Sequence, residues 1–232
     1  MTKVTLYGFQ ISTFVNVARL LLYEKGVPFM FADVSSEMGS QRHLALHPFN
    51  RVPILEHEGF RLYETSAIAL YIDEAFDGPR LQPQDPRQRA RIRQWMSALC
   101  SYYYPYIAFH LGHERIIYPA LGITPDEKVV AAALPRIATA LDVMERELQG
   151  SGDFLVGERA SLADFFLLPT MTTLSLTPEG AEMLAAKPLI RNWRERMQGR
   201  ASAMKLMAEV APYIGKPLQH ARNWVASHRP RY

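Results

Sequence analysis

The chain has 232 residues, of which 48% are apolar and 21% are charged, and this balance predicts a folded globular protein of one large or two small domains. The formal net charge of +3 is too small to indicate nucleic acid as the partner. The single cysteine, Cys100, excludes an intrachain disulfide, and the first residues lack the apolar stretch of a signal peptide. We therefore expect a cytoplasmic protein that does not enter a membrane.

The first third of the chain predicts a small α/β domain in the order βαβ, helix, ββα. Short runs rich in β-branched and aromatic residues predict strands, and apolar residues at helical spacing predict helices. The predicted strands cover residues 4–7, 28–34, 52–55 and 60–63, and the predicted helices cover 12–25, 41–46 and 65–76. Ser12 stands at the start of the first helix, and Thr65 is predicted to cap the last one.

The remainder of the chain predicts helices and no strands. Residues 77–86 hold three prolines and one glycine, which indicates a linker. Helices are predicted over residues 87–118, 126–149, 161–174 and 189–210, and Ser161 and Asp164 have the spacing of a capping box. The sequence therefore predicts an α/β domain over 1–76, a linker over 77–86 and an all-α domain over 87–232, whose tail after 212 is a short helix or a loose arm.

Three sequence motifs, in the right order, resemble those of the glutathione transferases. HPFNRVPIL at 47–55 resembles NPFGQVPAL, LYETSAIALYI at 62–72 resembles the FESRAI signature, and SLADFFLLP at 161–169 resembles the capping box of a core helix. The closest similarity is to the phi- and theta-like serine-type classes, in a bacterial style of sequence. The resemblance implies a thioredoxin-like N-terminal domain that binds glutathione, and a helical-bundle domain with an electrophile pocket.

The resemblance also implies an activity and its partners. The expected enzyme is a transferase that conjugates the glutathione thiolate to small hydrophobic electrophiles in detoxification, with glutathione as co-substrate, no metal and a peroxidase side activity. A homodimer is expected, with no nucleic acid and no membrane as partners. The alternative is a non-catalytic glutathione-binding or protein-interaction module on the same fold, since a fold alone does not determine a function.

The hydroxyl of Ser12 is the first candidate for catalysis. A serine is a poor base, but its hydroxyl can donate a hydrogen bond to a thiolate, and a hydrogen bond of this kind lowers a thiol pKa by about 1–2 units. The positive end of the helix dipole acts in the same direction. The alternatives are that Ser12 is only an N-cap, that Thr13 replaces it, or that Tyr7 serves as in the tyrosine classes.

The same resemblance implies the glutathione site. Its proline, Pro53, would follow a cis bond, and Val52 would pair its backbone with the cysteinyl part. Glu64 and Thr65 would hold the γ-glutamyl end. Arg51 would pair with the glycyl carboxylate or lie in solvent, and Gln41 is a further candidate for that carboxylate.

An aromatic stretch at 95–113 supplies candidates for the electrophile pocket. We expect Tyr103, Tyr106 and His110 to line it, together with Phe9 and Phe14 from the first domain; the alternative is that these aromatics form core. No cysteine is close to Ser12 in the sequence, which argues against the cysteine-type classes. Cys100 is expected to be a small buried apolar residue, and His47 a turn residue.

Overall fold

The computed structural model describes residues 3–216 and begins with a mixed four-stranded sheet in the order β2-β1-β3-β4. Its strands are β1 (Val4–Gly8), β2 (Met30–Asp33), β3 (Ile54–His57) and β4 (Phe60–Tyr63). Its helices are α1 (Thr13–Glu24), α2 (Gln41–Leu46) and α3 (Thr65–Ala75), with a 3-10 turn at Ser35–Glu37. The predicted thioredoxin-like domain is confirmed.

Strand β1 lies inside the sheet, between β2 and β3. Leu6 lies opposite Phe31 in the parallel pair with β2 and opposite Leu55 in the antiparallel pair with β3. At the end of β1, a Cβ on Gly8 would lie 2.5 Å from a methyl carbon of Val15, so only glycine lets α1 pack this closely. This contact holds the start of α1 beside the carboxyl end of β1.

The second half contains helices and no strand among its described residues, and the helical hydrogen-bond pattern changes along the way. The α-helices are α4 (Pro86–Ala98), α5 (Tyr118–Ala120), α6 (Glu127–Ser151), α7 (Leu162–Ser175), α8 (Pro178–Ala185), α9 (Pro188–Gln198) and α10 (Ala201–Val210). Two π-helical segments, Leu99–Tyr103 and Pro105–Ile117, connect α4 to α5. The predicted all-helical domain is confirmed; the tail after residue 216 lies outside the described residues.

Three predictions about these helices were wrong in detail. The single helix predicted over 87–118 changes from α- to π-helical bonding, so that Tyr104 N–H donates to the Leu99 carbonyl. The predicted helix over 189–210 is two helices, and α8 was not predicted at all. Thr65 does not cap α3; the N-cap is Glu64, with a backbone φ of 71°.

The predicted linker has no helix or strand before Pro86 but is firmly attached to both halves. Leu81 is buried, its N–H donates to Asp73, and its carbonyl accepts from Leu162 N–H at the start of α7. Lys25 is buried too, and its ammonium donates to the Pro79 and Asp73 carbonyls. Because these bonds cross from one half to the other, the segment packs as part of the core rather than as a free tether.

Within residues 3–216, none of the helices has both the length and the apolar character needed to cross a membrane.

Candidate functional site

A cavity of about 510 Å³ opens between the two halves of the molecule. One wall comes from the ends of the first-domain strands and the start of α1, and the other comes from the π-helical segment, α7 and α10. Most of the lining is apolar, and the polar groups cluster at the first-domain wall. A concave apolar pocket with a few convergent polar groups is the usual form of a small-molecule site.

Ser12 lines this cavity and is the N-cap of α1. Its Oγ accepts from Val15 N–H at 3.5 Å, which is at the long limit for a hydrogen bond. A hydroxyl accepts through oxygen and donates through hydrogen at the same time, so this cap leaves the O–H free to donate to another group. The capping role and a catalytic role are therefore compatible in one residue.

The two alternatives to Ser12 lie in different surroundings. Thr13 is buried, is the first residue of α1 and also lines the cavity. Tyr7 lies within β1, opposite Ala32 and Ile54, and is not among the residues that line the cavity. A tyrosine at that position in the sheet has no described contact with the site.

The predicted glutathione contacts gather on the same wall as Ser12. Val52, Pro53, Glu64, Thr65 and Arg51 all line the cavity, and the Val52–Pro53 bond is cis. Glu64 has a φ of 71°, an uncommon conformation for a residue with a side chain, and backbone strain of this kind is concentrated at functional sites. Glu64 is the N-cap of α3 but its side chain makes no capping hydrogen bond, and the residue is exposed.

Gln41 is the exception among these predictions. It is exposed at the start of α2 and does not line the cavity, because α2 turns this end toward solvent. His47 does line the cavity, although the sequence indicated only a turn residue. It is the C-cap of α2 and its Nδ1 accepts from Phe49 N–H at 3.3 Å, so the turn prediction is confirmed as well. Burial, with the nearby His43 and Arg51, lowers the pKa of His47.

The aromatic wall of the cavity holds two of the five predicted pocket residues. Phe9 and Phe14 line it, and Phe14 stacks on Tyr104 with ring centroids 4.1 Å apart. Tyr103 is instead a core residue whose hydroxyl donates to the Ala140 carbonyl at 2.7 Å.

Tyr106 and His110 stack on each other away from the cavity, with ring centroids 5.2 Å apart. Tyr103, Tyr106 and His110, which were expected to line the electrophile pocket, therefore lie outside this cavity.

The physical reason is the π-helical bonding of this segment. Tyr103, Tyr106 and His110 are spaced as one face of an α-helix, by three and four residues. The residues of this stretch that line the cavity recur about every four positions, since i→i+5 hydrogen bonds widen each turn. These residues are Cys100, Tyr104, Ala108, Phe109, Gly112, His113, Ile116 and Ile117. The sequence identified the right segment, but its apolar pattern does not reveal the wider π-helical turn.

Cys100 also lines the cavity and is exposed, so the prediction of a buried apolar residue was wrong. Cys100 lies in the first π-helical segment, four residues before Tyr104, and both line the cavity. Burial against the wall raises the pKa of its thiol, and the negative charge of Glu64 raises it further. Because the thiolate is the reactive form, this cysteine is a poor nucleophile near neutral pH.

Two domain profiles match the sequence. The profile of the glutathione S-transferase N-terminal domain matches residues 6–80, and that of the glutathione S-transferase C-terminal domain matches residues 92–201. The chain is also 31% identical to glutathione S-transferase F10 of Arabidopsis thaliana over 199 residues, which cover 83% of this chain and 91% of that protein. This chain belongs to the glutathione S-transferase family.

Solved structures agree with this assignment. Glutathione transferase F7 of Populus trichocarpa has a TM-score of 0.82 at 27% identity, over 89% of this chain and 99% of that one. Glutathione S-transferase I from mais, in complex with an atrazine glutathione conjugate, has a TM-score of 0.81 at 27% identity, over 90% of this chain and 99% of that one. These relatives are plant proteins, so they support the phi-like part of the resemblance and not its bacterial part.

Among residues 3–216, no group of three or more histidine, cysteine, aspartate or glutamate side chains is arranged to hold a metal ion. The polar groups that line the cavity are hydroxyls, backbone groups, one guanidinium, one exposed carboxylate, two imidazoles, two amides and one thiol. They suit an anionic or zwitterionic peptide-like ligand, because backbone N–H groups and hydroxyls are donors to carboxylates and thiolates.

Proposed function

We propose that this protein is a serine-type glutathione transferase that conjugates the glutathione thiolate to hydrophobic electrophiles. The observation that carries the proposal is the single cavity in which a hydroxyl at a helix N-terminus faces an apolar aromatic wall. A transferase needs both parts, since the thiol must be ionised where the electrophile is bound. A glutathione peroxidase side activity would use the same thiolate.

The Ser12 hydroxyl is proposed to donate to the glutathione sulfur. The Ser12 oxygen accepts only a long hydrogen bond, from Val15 N–H at 3.5 Å. Among the described residues no acceptor for the Ser12 hydroxyl hydrogen is seen. The α1 dipole adds positive potential at the same place. Together they favour the thiolate over the thiol, so no side-chain base is needed; the proton leaves to solvent. Thr13, which also lines the cavity, is the second candidate for this donor.

The remaining contacts are assigned by the charge that each part of glutathione carries. The carboxylate of Glu64 suits the γ-glutamyl ammonium, and the Thr65 hydroxyl with the first N–H groups of α3 suits the γ-glutamyl carboxylate. The Val52 backbone suits the cysteinyl amide. Arg51 suits the glycyl carboxylate, because a guanidinium binds a carboxylate with two parallel hydrogen bonds. Gln41, which lies off the cavity, is no longer proposed.

The electrophile is proposed to occupy the apolar part of the cavity. Phe9 and Phe14 from the first half line it together with Tyr104 and Phe109 from the second, and the stacked Phe14 and Tyr104 rings join the two halves of this lining. Burial raises the pKa of Tyr104, so its ring stays neutral at physiological pH. This lining suits apolar and aromatic electrophiles in general.

The experiment that tests the proposal is a glutathione titration at several pH values that reads heat and thiolate absorbance together. We expect binding with a thiolate signal about 1–2 pH units below that of free glutathione, as one charge-assisted hydrogen bond provides. Binding without that signal would support the alternative of a non-catalytic glutathione-binding module. An absence of binding would overturn the proposal altogether.

The domain division, the oligomeric state and the location belong to the same proposal. We propose a glutathione-binding domain over 1–76, a connecting segment over 77–86 and an electrophile domain over 87–232, in a cytoplasmic homodimer. Phe49 and Tyr102 are 67% and 65% exposed, and large apolar side chains that are exposed in one chain are candidates for contact with a second copy. Sedimentation of the purified protein would test it, and a monomer at micromolar concentration would contradict it.

A further inference from the structure

His113 is a polar group in an otherwise apolar part of the cavity. It lies on the second π-helical segment and lines the cavity beside Phe109 and Ile117. Its ring packs edge-on against Phe109 at 4.8 Å and against Tyr118 at 5.7 Å. Among the described residues, none forms a hydrogen bond with either ring nitrogen of His113. His113 is half-buried and its ring has no described protein hydrogen-bond partner, so its nitrogens are available to water or to a ligand in the cavity.

The surrounding polar side chains do not provide that partner. Thr172 and Thr173 of α7 line the same cavity, but their hydroxyls donate back to the Leu168 and Pro169 carbonyls at 2.9 and 3.1 Å. The hydrogens of both hydroxyls are thus used within α7, and only oxygen lone pairs remain available. The neighbouring histidine, His110, is turned away and its Nδ1 bonds the Pro105 carbonyl at 2.6 Å.

The fold holds the imidazole in this position by two features. The last i→i+5 hydrogen bond runs from Tyr118 N–H to the His113 carbonyl. This bonding pattern places His113 on the face of the segment that lines the cavity. At Gly112 a Cβ would lie only 3.0 Å from the Thr173 methyl carbon, so the missing side chain lets the π-helix approach α7 closely. π-helical turns are rare and are frequently found at functional sites.

We propose that the His113 imidazole donates a hydrogen bond to an acceptor on the electrophile, and so selects apolar electrophiles that carry a ketone or nitro oxygen. The inference rests on the proposed transferase function and specifies its substrate class. Burial and the nearby His110 lower the pKa of His113 to about 4, so the ring is neutral at pH 7 and has one N–H to donate. No proton or electron is transferred in this role; His113 binds and orients.

The test compares the binding of two glutathione conjugates that differ in one atom group. S-(4-acetylbenzyl)glutathione has a carbonyl oxygen where S-(4-isopropenylbenzyl)glutathione has a planar CH₂, so shape is matched. Calorimetry on the wild-type protein should give about fivefold tighter binding of the acetyl conjugate, the size of one neutral hydrogen bond. The ¹⁵N resonances of the His113 ring should shift with the acetyl conjugate and not with its match.

Variants then assign the preference to His113. His113→Leu should abolish the fivefold preference while the isopropenyl conjugate binds as before, and His113→Gln, which keeps an N–H donor, should retain part of it. His110→Leu is the control, because it changes the same helix without touching the cavity and should leave the preference intact.

Equal losses for both conjugates in His113→Leu would mean that His113 only packs the wall, and would overturn the inference. Equal wild-type affinities with no ¹⁵N shift would overturn it without any variant. If the wild-type protein binds glutathione but neither conjugate, the proposed location of the electrophile site is wrong. If it does not bind glutathione, the proposed function fails first, and the inference falls with it.

Discussion

At the scale of single residues, two polar side chains line one cavity from different halves of the chain. Ser12 combines a weak cap with a hydroxyl that can donate to the proposed glutathione thiol. His113 places an imidazole of lowered pKa in the proposed electrophile part. Both residues are only partly buried. We therefore expect substitution of either residue to change chemistry more than stability.

Ser12→Ala should separate catalysis from capping. We expect turnover near pH 6.5 to fall by about 10–100-fold, because the pKa of the bound thiol rises by about 1–2 units, while glutathione affinity changes little. Unfolding free energy should fall by about 1 kcal/mol from the lost cap. Steady-state kinetics and urea unfolding measure the two effects.

The control is Asp85→Ala, which removes the N-cap of α4 far from the cavity. It should cost similar stability with unchanged turnover. If Ser12→Ala behaves like this control, Ser12 is a cap only, and Thr13→Val becomes the variant to test.

His113 should also make stability depend on pH. Its pKa is lowered to about 4 by burial and by His110, while the unfolded chain titrates near the ordinary value of about 6.5. The unfolded state therefore binds the proton first, and stability is complete above about pH 6.5 and is lost as the pH falls toward 4.

Urea unfolding of wild type and His113→Leu at pH 7 and pH 4.5 checks this. The variant should lose less stability on acidification than wild type, by an amount of order 1–3 kcal/mol. The remaining histidines are common to both proteins and cancel in the comparison. Parallel losses would show that His113 titrates normally.

At the scale of elements, α7 is fixed by the capping box that the sequence predicted. The buried Asp164 carboxylate accepts from Ser161 N–H and from Leu155 N–H at 2.8 and 2.9 Å, and from the Trp193 indole at 2.8 Å. The sequence showed only the Ser161 contact, since Leu155 and Trp193 meet the carboxylate through the tertiary fold. One side chain thus joins α7, the loop before it and α9.

Asp164→Ala should be among the most destabilising single changes in the second half. It leaves four buried donors without an acceptor, because the Ser161 hydroxyl donates to the carboxylate as well, so we expect a loss of about 3–5 kcal/mol, measured by urea unfolding. Asp126→Ala, which removes an exposed N-cap from α6, should cost only about 1 kcal/mol. Similar losses in the two variants would contradict the role of the buried network.

At the scale of the whole molecule, buried charges join the two halves. Arg19 of α1 has a side chain only 2% exposed, and it pairs at 2.5 Å with Glu209 of α10, which also accepts from the Tyr23 hydroxyl. Burial favours the neutral acid, but the hydrogen bonds from Tyr23 and Arg19 outweigh it and hold the pKa of Glu209 below its ordinary value. The pair therefore joins α1 of the first half to α10 of the second.

Glu209→Gln should destabilise the protein because it leaves the Arg19 charge buried without its partner. Glu209 itself is 38% exposed, so we expect about 1–3 kcal/mol at pH 7 rather than the full cost of a buried pair. The depressed pKa means that this stability is present above about pH 4.5 and is lost as the pH falls through the folded pKa.

Urea unfolding at pH 7 and at lower pH would measure the effect, which should shrink on acidification. The matched control is Glu56→Gln, which breaks the exposed pair with Arg61 and should change stability by less than about 1 kcal/mol. An effect of Glu209→Gln no larger than that of the control would mean that the two halves do not depend on this pair.

The sequence by itself determined what depends on local pattern. Strand and helix types, the α/β-then-α order and the capping box at Ser161 follow from periodicity, caps and turn residues. The motif at residues 47–55 pointed to Val52 and Pro53, and both line the cavity. Ser12 could be proposed from the sequence because a hydroxyl residue directly before a predicted helix is a local sequence feature.

Only the tertiary structure decided which side chains meet across the cavity. With α-helical spacing, Tyr103 and His110 were expected to line the cavity. With i→i+5 bonding, Tyr104 and His113 line it instead. The apolar pattern of the sequence does not distinguish an α-helical turn from a π-helical one. Arg19 meets Glu209 across 190 positions of the chain, and such a contact exists only once both halves have packed. The sequence therefore determined the elements, and the packing of one half on the other determined the site.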